Sequence, residues 1–534
     1  MKKNNLIVDG EKLQLGDVQN VARDFVHVSV SKESKKKIDI SRKMVDSSVE
    51  DEKVVYGVTT GFGPFVSVLI PKKYQTELQE NLIRSHSANV GPLFSIEETR
   101  AAMLLRVNAF SKGYSGVRYE LVNLLTEMLN KKIHPCIPQW GSVGASGDLT
   151  PSSHIALALM GEGTVEYNGK IMPAQEALEH AGLKKIQFKA KEGLALINGT
   201  TMMTGVASLQ LYDAWNLIKS AEIISALSIE VLQGSMEPFL SRAHAVKPHP
   251  GQLKVVKNLN ALLRDSKLVW HAKEVDRIKK ELQARIKKNQ EVFESGVPVQ
   301  NVYSLRAVPQ VLGAVRDALE YATRQITTEM NSANDNPLFF DDLGISYQGA
   351  HFHGQPVALP MDVLSIALTE IGVISERRLN KILDPVRNNG LAPFLARGKS
   401  GLRCGLEGAQ YIATALVAEC RTMCNPASVQ SIPSNGENQD VVSMGLVAAR
   451  KARDIKEKIE YILAVELLAA CEGMEEREKK KMSSAANAIY SLVRKKVKPY
   501  ESDRIMHINI EEVRDMIHSG ALVSVVEKKL KIIL

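Results

Sequence analysis

From about residue 97 onward, apolar residues recur at helical spacing, whereas the first 200 residues are repeatedly interrupted by Gly and Pro. The spacing predicts amphipathic helices over 97–111 and 116–131, with the Gly-containing break KGYSG between them. Longer helices are predicted over 203–234 and 358–383. Their apolar positions spread around more than one face, as suits helices inside a bundle. Residues 303–331, 408–424 and 441–475 read in the same way, and short strand-like pieces fall at 163–172 and 338–349. Strand and helix do not alternate as a parallel sheet would require, and no internal repeat or low-complexity linker is present. The expected class is mainly α, with a boundary near residue 200. Residues 1–200 would form an N-terminal domain with a loop-built site, and 201–534 a central and C-terminal helical bundle.

Composition sharpens this picture. Hydrophobic residues make up 44% and charged residues 24%, ordinary values for a soluble globular chain. Aromatic residues are only 5%, so Ala, Leu, Val and Ile must fill the core, which favours helices. The net charge of +8 raises a nucleic-acid reading, but the basic runs KESKKKIDISRK (32–43) and REKKKM (477–482) contain acidic residues and no aromatics. They are expected to be solvated helix faces, and nucleic acid is not an expected partner. A modest positive field can still attract a carboxylate substrate. The five cysteines are thinly spread. Cys420 and Cys424 could share a helix face, but no histidine stands near them, so buried free thiols are expected and no metal. The start MKKNNLIVDG has no apolar signal region, and the apolar stretch 203–234 carries Asp213, Lys219, Glu222 and Glu230. A cytosolic protein without a membrane span is expected.

The most specific stretch is PQWGSVGASGDLTPSSHIALALMGEG (138–163), where Gly141, Gly144 and Gly147 recur every third residue around Ala145 and Ser146. Thr150 followed by Pro151 predicts an N-cap and first helical turn. A lone Ala-Ser-Gly would be read as a tight turn. Within GSVGASGDLTP, ahead of an apolar helix, it resembles the ammonia-lyase and aminomutase family that acts on histidine, phenylalanine and tyrosine. That resemblance implies a homotetramer of the fumarase/aspartase-like helical superfamily, with each active site built from three chains. It further implies that Ala145, Ser146 and Gly147 cyclise and lose water to form 4-methylideneimidazol-5-one (MIO). Unmodified side chains supply acids, bases and nucleophiles but no good electrophile to capture an amine. A Gly at 147 removes the Cβ that would obstruct cyclisation.

Further motifs extend the resemblance from about residue 50 to 445. YGVTTGFG (56–63) is similar to the family's mobile loop, which implies Tyr56 as catalytic base. LINGT (196–200) implies Asn198 beside the prosthetic group. YSLR (303–306) implies Tyr303 near that group and Arg306 as carboxylate clamp, a task suited to a bidentate guanidinium. NSANDNPL (331–338) and HFHGQ (351–355) match pocket-building segments, with Phe352 in place. His351 stands where the family commonly has Asn, which leaves the pocket floor open. SIPSNGENQDVVSMG (431–445) supplies Asn435 and Gln439.

Substrate choice follows from LQENLIRSH (78–86), which places Ser85 and His86 at the family's side-chain selector. An imidazole there can read a polar ring substituent, which disfavours phenylalanine. Ser-His occurs in both histidine- and tyrosine-specific relatives. Neutral Gln439 replaces the glutamate with which histidine lyases hold their substrate's imidazole, so tyrosine is the expected substrate. Tyr411 is a second candidate partner for the phenol. The overall likeness, Asn435 included, is closest to bacterial tyrosine 2,3-aminomutases. The alternatives are a tyrosine ammonia-lyase, a histidine ammonia-lyase, or a helical scaffold that has lost activity.

Overall fold

A computed structural model describes residues 5–289, 292–294, 299–398, 401–436 and 438–534. Helices dominate it. The sequence expectations for 97–111 and 116–131 correspond to helices Ile96–Ser111 and Tyr119–Asn130. The long ones correspond to Thr201–Val231, Gln355–Leu383, Glu407–Met423 and Gly445–Gly473. The 303–331 stretch is divided at Ala307 into Tyr303–Arg306 and Val308–Met330. Both strand-like pieces are antiparallel hairpins: Thr164–Tyr167 with Lys170–Pro173, and Leu338–Phe340 with Ile345–Tyr347. One parallel pair, Asn5–Val8 with His27–Val30, occurs where none was expected, with the helix Leu15–Arg23 between its strands.

The chain divides into two compact units that interleave along the sequence. The first comprises residues 1–212, 321–363 and 425–453, and the second 213–320, 364–424 and 454–534. The sequence reading, by contrast, expects a single cut near residue 200.

In the first unit, helix Ile96–Ser111 is buried on all sides from Glu98 onward. Its start is fixed by a reciprocal cap. Glu98 N–H donates to Ser95 Oγ at 3.3 Å, and Ser95 N–H donates to Glu98 Oε2 at 3.0 Å. Loss of such a cap costs about 1 kcal/mol. Lys191 and Asp335, both fully buried, form an ion pair at 2.8 Å, and Ser115 Oγ donates to the same carboxylate.

The second unit is knitted by a buried carboxylate. Glu466 accepts from Arg378 Nε at 2.6 Å and Nη2 at 2.9 Å, and from Ser228 Oγ and Ser375 Oγ. Three long helices supply these groups, and breaking such a fully buried pair costs about 3–5 kcal/mol. Among the described residues, Gln355–Leu383 is long and apolar enough to cross a membrane, but 72% of its most apolar window is buried inside the protein.

Helix Thr201–Val231 is also buried along almost its whole length within the single chain. Its wide apolar circumference is therefore covered within the single chain. Helix Gln355–Leu383, by contrast, leaves Leu359 and Ile366 nearly half exposed. Of the five thiols, Cys420 and Cys471 are buried, Cys136 and Cys424 half-buried, and Cys404 exposed, so the expectation of buried thiols holds for two.

Candidate active site

The Gly-rich loop is held in the first unit by a short backbone bridge. Gly147 pairs with Gly199 in parallel fashion. Gly199 N–H donates to Ser146 O at 3.0 Å, and Asp148 N–H donates to Gly199 O at 2.7 Å. Ser146 and Gly147 both have left-handed backbone, with φ of +51° and +80°. A Cβ on Gly147 would sit 2.1 Å from Gly199 O, so only glycine fits. This is the geometry that the cyclising triad needs, with a kinked Ser146 and no side chain on the residue whose nitrogen must approach the Ala145 carbonyl. Ala145, Ser146 and Gly147 therefore fit the prosthetic group that the resemblance implies.

The following helix, Leu149–Leu159, begins earlier than the Thr150-Pro151 reading placed it. Its N-cap is Asp148, and Thr150 lies inside the first turn with its Oγ buried and without a partner among the described residues. The Asp148 carboxylate does not cap its own helix. It accepts from Met203 N–H at 2.7 Å, in the first turn of Thr201–Val231, and from Ser142 Oγ at 3.1 Å. An anion at that helix start is favoured by the helix dipole. Burial nevertheless pushes the Asp148 carboxyl up to about 7, against the pull of those hydrogen bonds.

Two adjoining cavities, of about 540 and 500 Å³, flank the loop. His86, Ala145, Asn435 and Gln439 line both. Tyr56, Ser146, Asn198 and Phe352 line the second. Gln439 Nε2 donates to Ser146 Oγ at 3.3 Å, and Asn198 Oδ1 is buried without a partner among the described residues. The Tyr56 hydroxyl accepts from Gly63 N–H at 3.2 Å, and Gly63 in turn abuts Asn435 closely. The Tyr56 loop thus rests on the 435–439 segment (Glu437 lies outside the described residues). His351 is exposed and lies edge-to-face with Tyr347 at 5.3 Å, and it does not line either cavity.

His86 sits at the end of helix Gln75–His86, and its Nδ1 lies 2.9 Å from Leu82 O. A carbonyl oxygen can only accept, so Nδ1 carries the hydrogen. Burial lowers the His86 pKa, outweighing the opposing effect of the Leu82 bond. The ring is therefore neutral at neutral pH, and its Nε2 is a hydrogen-bond acceptor.

The remaining expected residues belong to the second unit. Tyr303 and Arg306 line a cavity of about 440 Å³ with His244, Gln252, Asn301 and Gln310. Tyr303 is 72% exposed, and the Arg306 guanidinium lies 4.6 Å from its ring centre. Arg306 Nε is buried without a partner among the described residues, so the fork retains donor capacity for an anion. Tyr411 is 63% exposed and donates to Glu407 at 2.9 Å. Sequence reasoning passed over Asp148 and Arg106. The signals were an acid directly after the triad and a lone arginine inside the apolar run LLRVNAF.

A family model for aromatic amino acid lyases matches residues 13–495. The chain is 46% identical over 526 residues to a tyrosine ammonia-lyase of Cupriavidus metallidurans, covering 97% of each chain. It is 44% identical over 532 residues to a histidine ammonia-lyase of Alkaliphilus oremlandii, covering all of both. The solved structure of the tyrosine aminomutase from Streptomyces globisporus superposes with a TM-score of 0.95 at 44% identity, over 98% of this chain and 99% of that one.

Proposed function

The chain belongs to the aromatic amino acid lyase family, whose members include ammonia-lyases and aminomutases, and we propose that this enzyme is a tyrosine 2,3-aminomutase. It converts L-tyrosine to β-tyrosine and releases some 4-coumarate and ammonia. The observation that carries the tyrosine reading is the neutral His86, which lines the cavities beside Ala145 and, with Nδ1 bonded to Leu82 O, keeps Nε2 as an acceptor. A phenol hydroxyl is a donor, and a buried acceptor left without its donor is penalised, so phenylalanine is disfavoured. Neutral Gln439, turned toward Ser146, supplies no carboxylate for a substrate imidazole.

In this reading MIO, formed from residues 145–147, would supply an electrophile for the substrate amine. Tyr56 removes a proton from Cβ, and its place on the cavity wall suits that task. Asn198 and Gln439 flank the triad and orient the reacting groups. Phe352 and Asn435 shape the wall. Tyr303, Arg306 and, at the phenol end, Tyr411 are supplied by neighbouring copies in a homotetramer, Arg306 gripping the carboxylate. An intermediate fixed at both its carboxylate and its phenol stays in place long enough for the amine to return to Cβ, whereas a looser site would release the acid.

The test is incubation with L-tyrosine, L-histidine and L-phenylalanine in parallel, with chromatographic separation of products. β-Tyrosine in excess of 4-coumarate supports the proposal. Coumarate alone would make the enzyme a tyrosine lyase, and urocanate from histidine would overturn the tyrosine assignment. His86→Phe should shift preference from tyrosine toward phenylalanine by about tenfold or more.

A further inference from the structure

Arg106 is a buried charge packed against the Asn198–Gly199 turn that pairs with the triad. It lies on helix Ile96–Ser111 and is 1% exposed, yet among the described residues no carboxylate bonds it. Instead Nη1 donates to Ala195 O at 3.1 Å and to Asn198 O at 3.0 Å. Nε and Nη2 find no hydrogen-bond partner among the described residues. A Cβ on Gly199 would lie 3.1 Å from Nη2, so the guanidinium packs directly against residue 199. Burial lowers the Arg106 pKa to about 10, and the field of Asp335 and Asp148 opposes that shift, so the group remains charged at neutral pH.

The two carbonyls that Arg106 grips bracket the turn ending helix Glu192–Ile197, and Asn198 and Gly199 follow directly. Gly199 is the residue that pairs with Gly147 and bonds Ser146 O and Asp148 N–H. We infer that Arg106 is a positioning residue. It clamps the 195–199 turn against the Ala145–Ser146–Gly147 loop and so holds the closure in which the triad cyclises, with Asn198 presented beside it. The inference rests on the reading of residues 145–147 as the source of the prosthetic group. In the cyclisation, the Gly147 nitrogen bonds to the Ala145 carbonyl carbon. The carbonyl oxygen leaves as water with the amide hydrogens of Ser146 and Gly147. The Ser146 hydroxyl leaves with its Cα hydrogen as a second water. No oxidant or reductant is needed. The demand is geometric, and a clamp that narrows the loop's freedom raises the fraction of time it is poised to close.

The test follows full-length chains made by cell-free synthesis, sampled over time by intact mass, with melting temperatures measured on the same samples. Wild type, Arg106→Lys, Arg106→Met and Leu178→Ala are compared. Leu178 is buried in helix Ala174–His180 of the same unit and serves as a stability control. Wild type should lose the mass of two waters. If it does not, the reading of residues 145–147 fails, whatever Arg106 does. Given that loss, both Arg106 variants should cyclise about tenfold or more slowly, as removal of a charged hydrogen bond implies. Leu178→Ala should melt lower yet cyclise at the wild-type rate. Should Arg106→Met fail to fold, Arg106→Lys, which keeps the charge but shortens its reach, decides. Wild-type cyclisation in Arg106→Lys, or equal slowing in an equally destabilised Leu178→Ala, would overturn the inference.

Discussion

Gly147→Ala puts the geometry of the loop to its most direct test. An alanine held at φ near +80° pays about 1 kcal/mol for left-handed backbone. Its Cβ would lie 2.1 Å from Gly199 O and 2.3 Å from Gly199 C, well inside the ordinary contact distance of roughly 3.5 Å. The obstructing atoms are backbone and cannot rotate away, so the two segments must separate. That releases Gly199 N–H from Ser146 O and Asp148 N–H from Gly199 O, each worth about 1 kcal/mol. The sum, about 3 kcal/mol, lowers the population of the closed loop by roughly two orders of magnitude. The chain should still fold, because about 3 kcal/mol is a fraction of the roughly 5–15 kcal/mol that holds a typical protein folded. Intact mass should show the loss of two waters roughly a hundredfold more slowly than in wild type, the near-ultraviolet absorbance expected of the prosthetic group should lag in step, and far-ultraviolet circular dichroism should match wild type. A Gly147→Ala chain that loses both waters as fast as wild type would refute the argument.

Ser146→Ala and Tyr56→Phe should each abolish turnover while leaving melting temperature nearly unchanged, since neither hydroxyl makes more than one weak bond, and near-normal turnover in either would reject its role. Arg306→Lys should raise KM by about tenfold to a hundredfold through loss of the fork, with steady-state kinetics on tyrosine as the readout. Glu230 has its carboxyl raised by burial from 4.5 to about 7, so the native state holds a proton there that the unfolded chain has lost. Stability should fall as pH rises through that window, by about 3 kcal/mol from this group, and Glu230→Gln should gain in melting temperature relative to wild type between about pH 5 and pH 8. A difference independent of pH would contradict the assignment.

How much of this was legible beforehand depends on the range of the interaction involved. Helices such as Ile96–Ser111 and Glu407–Met423 could be placed to within a residue or two, because periodicity and capping are local properties of the chain. The polar Lys32–Glu50 run was readable only as a solvated face, yet it is one helix that buries Arg42 against the carbonyls of Gly116 and Ala190. The triad, too, could be located from its own motif. Its support could not, because Asp148 serves a helix start more than fifty residues away, and Arg106 acts on a turn almost ninety residues downstream. Thr150 illustrates the same limit. A Thr-Pro pair is a sound local signal for a helix start, but the Asp148 backbone was already anchored to Gly199, and the helix began there instead. Local motifs thus point to the residues proposed to carry the chemistry, and long-range bonds decide how rigidly they are held. That division explains why the Arg106 and Gly147 experiments probe different things. Gly147→Ala removes the space in which the loop closes, whereas Arg106→Lys leaves that space intact and loosens one wall of it. If positioning is the role of Arg106, the lysine chain should cyclise about tenfold more slowly than wild type, while the alanine chain at 147 should lag by roughly a hundredfold.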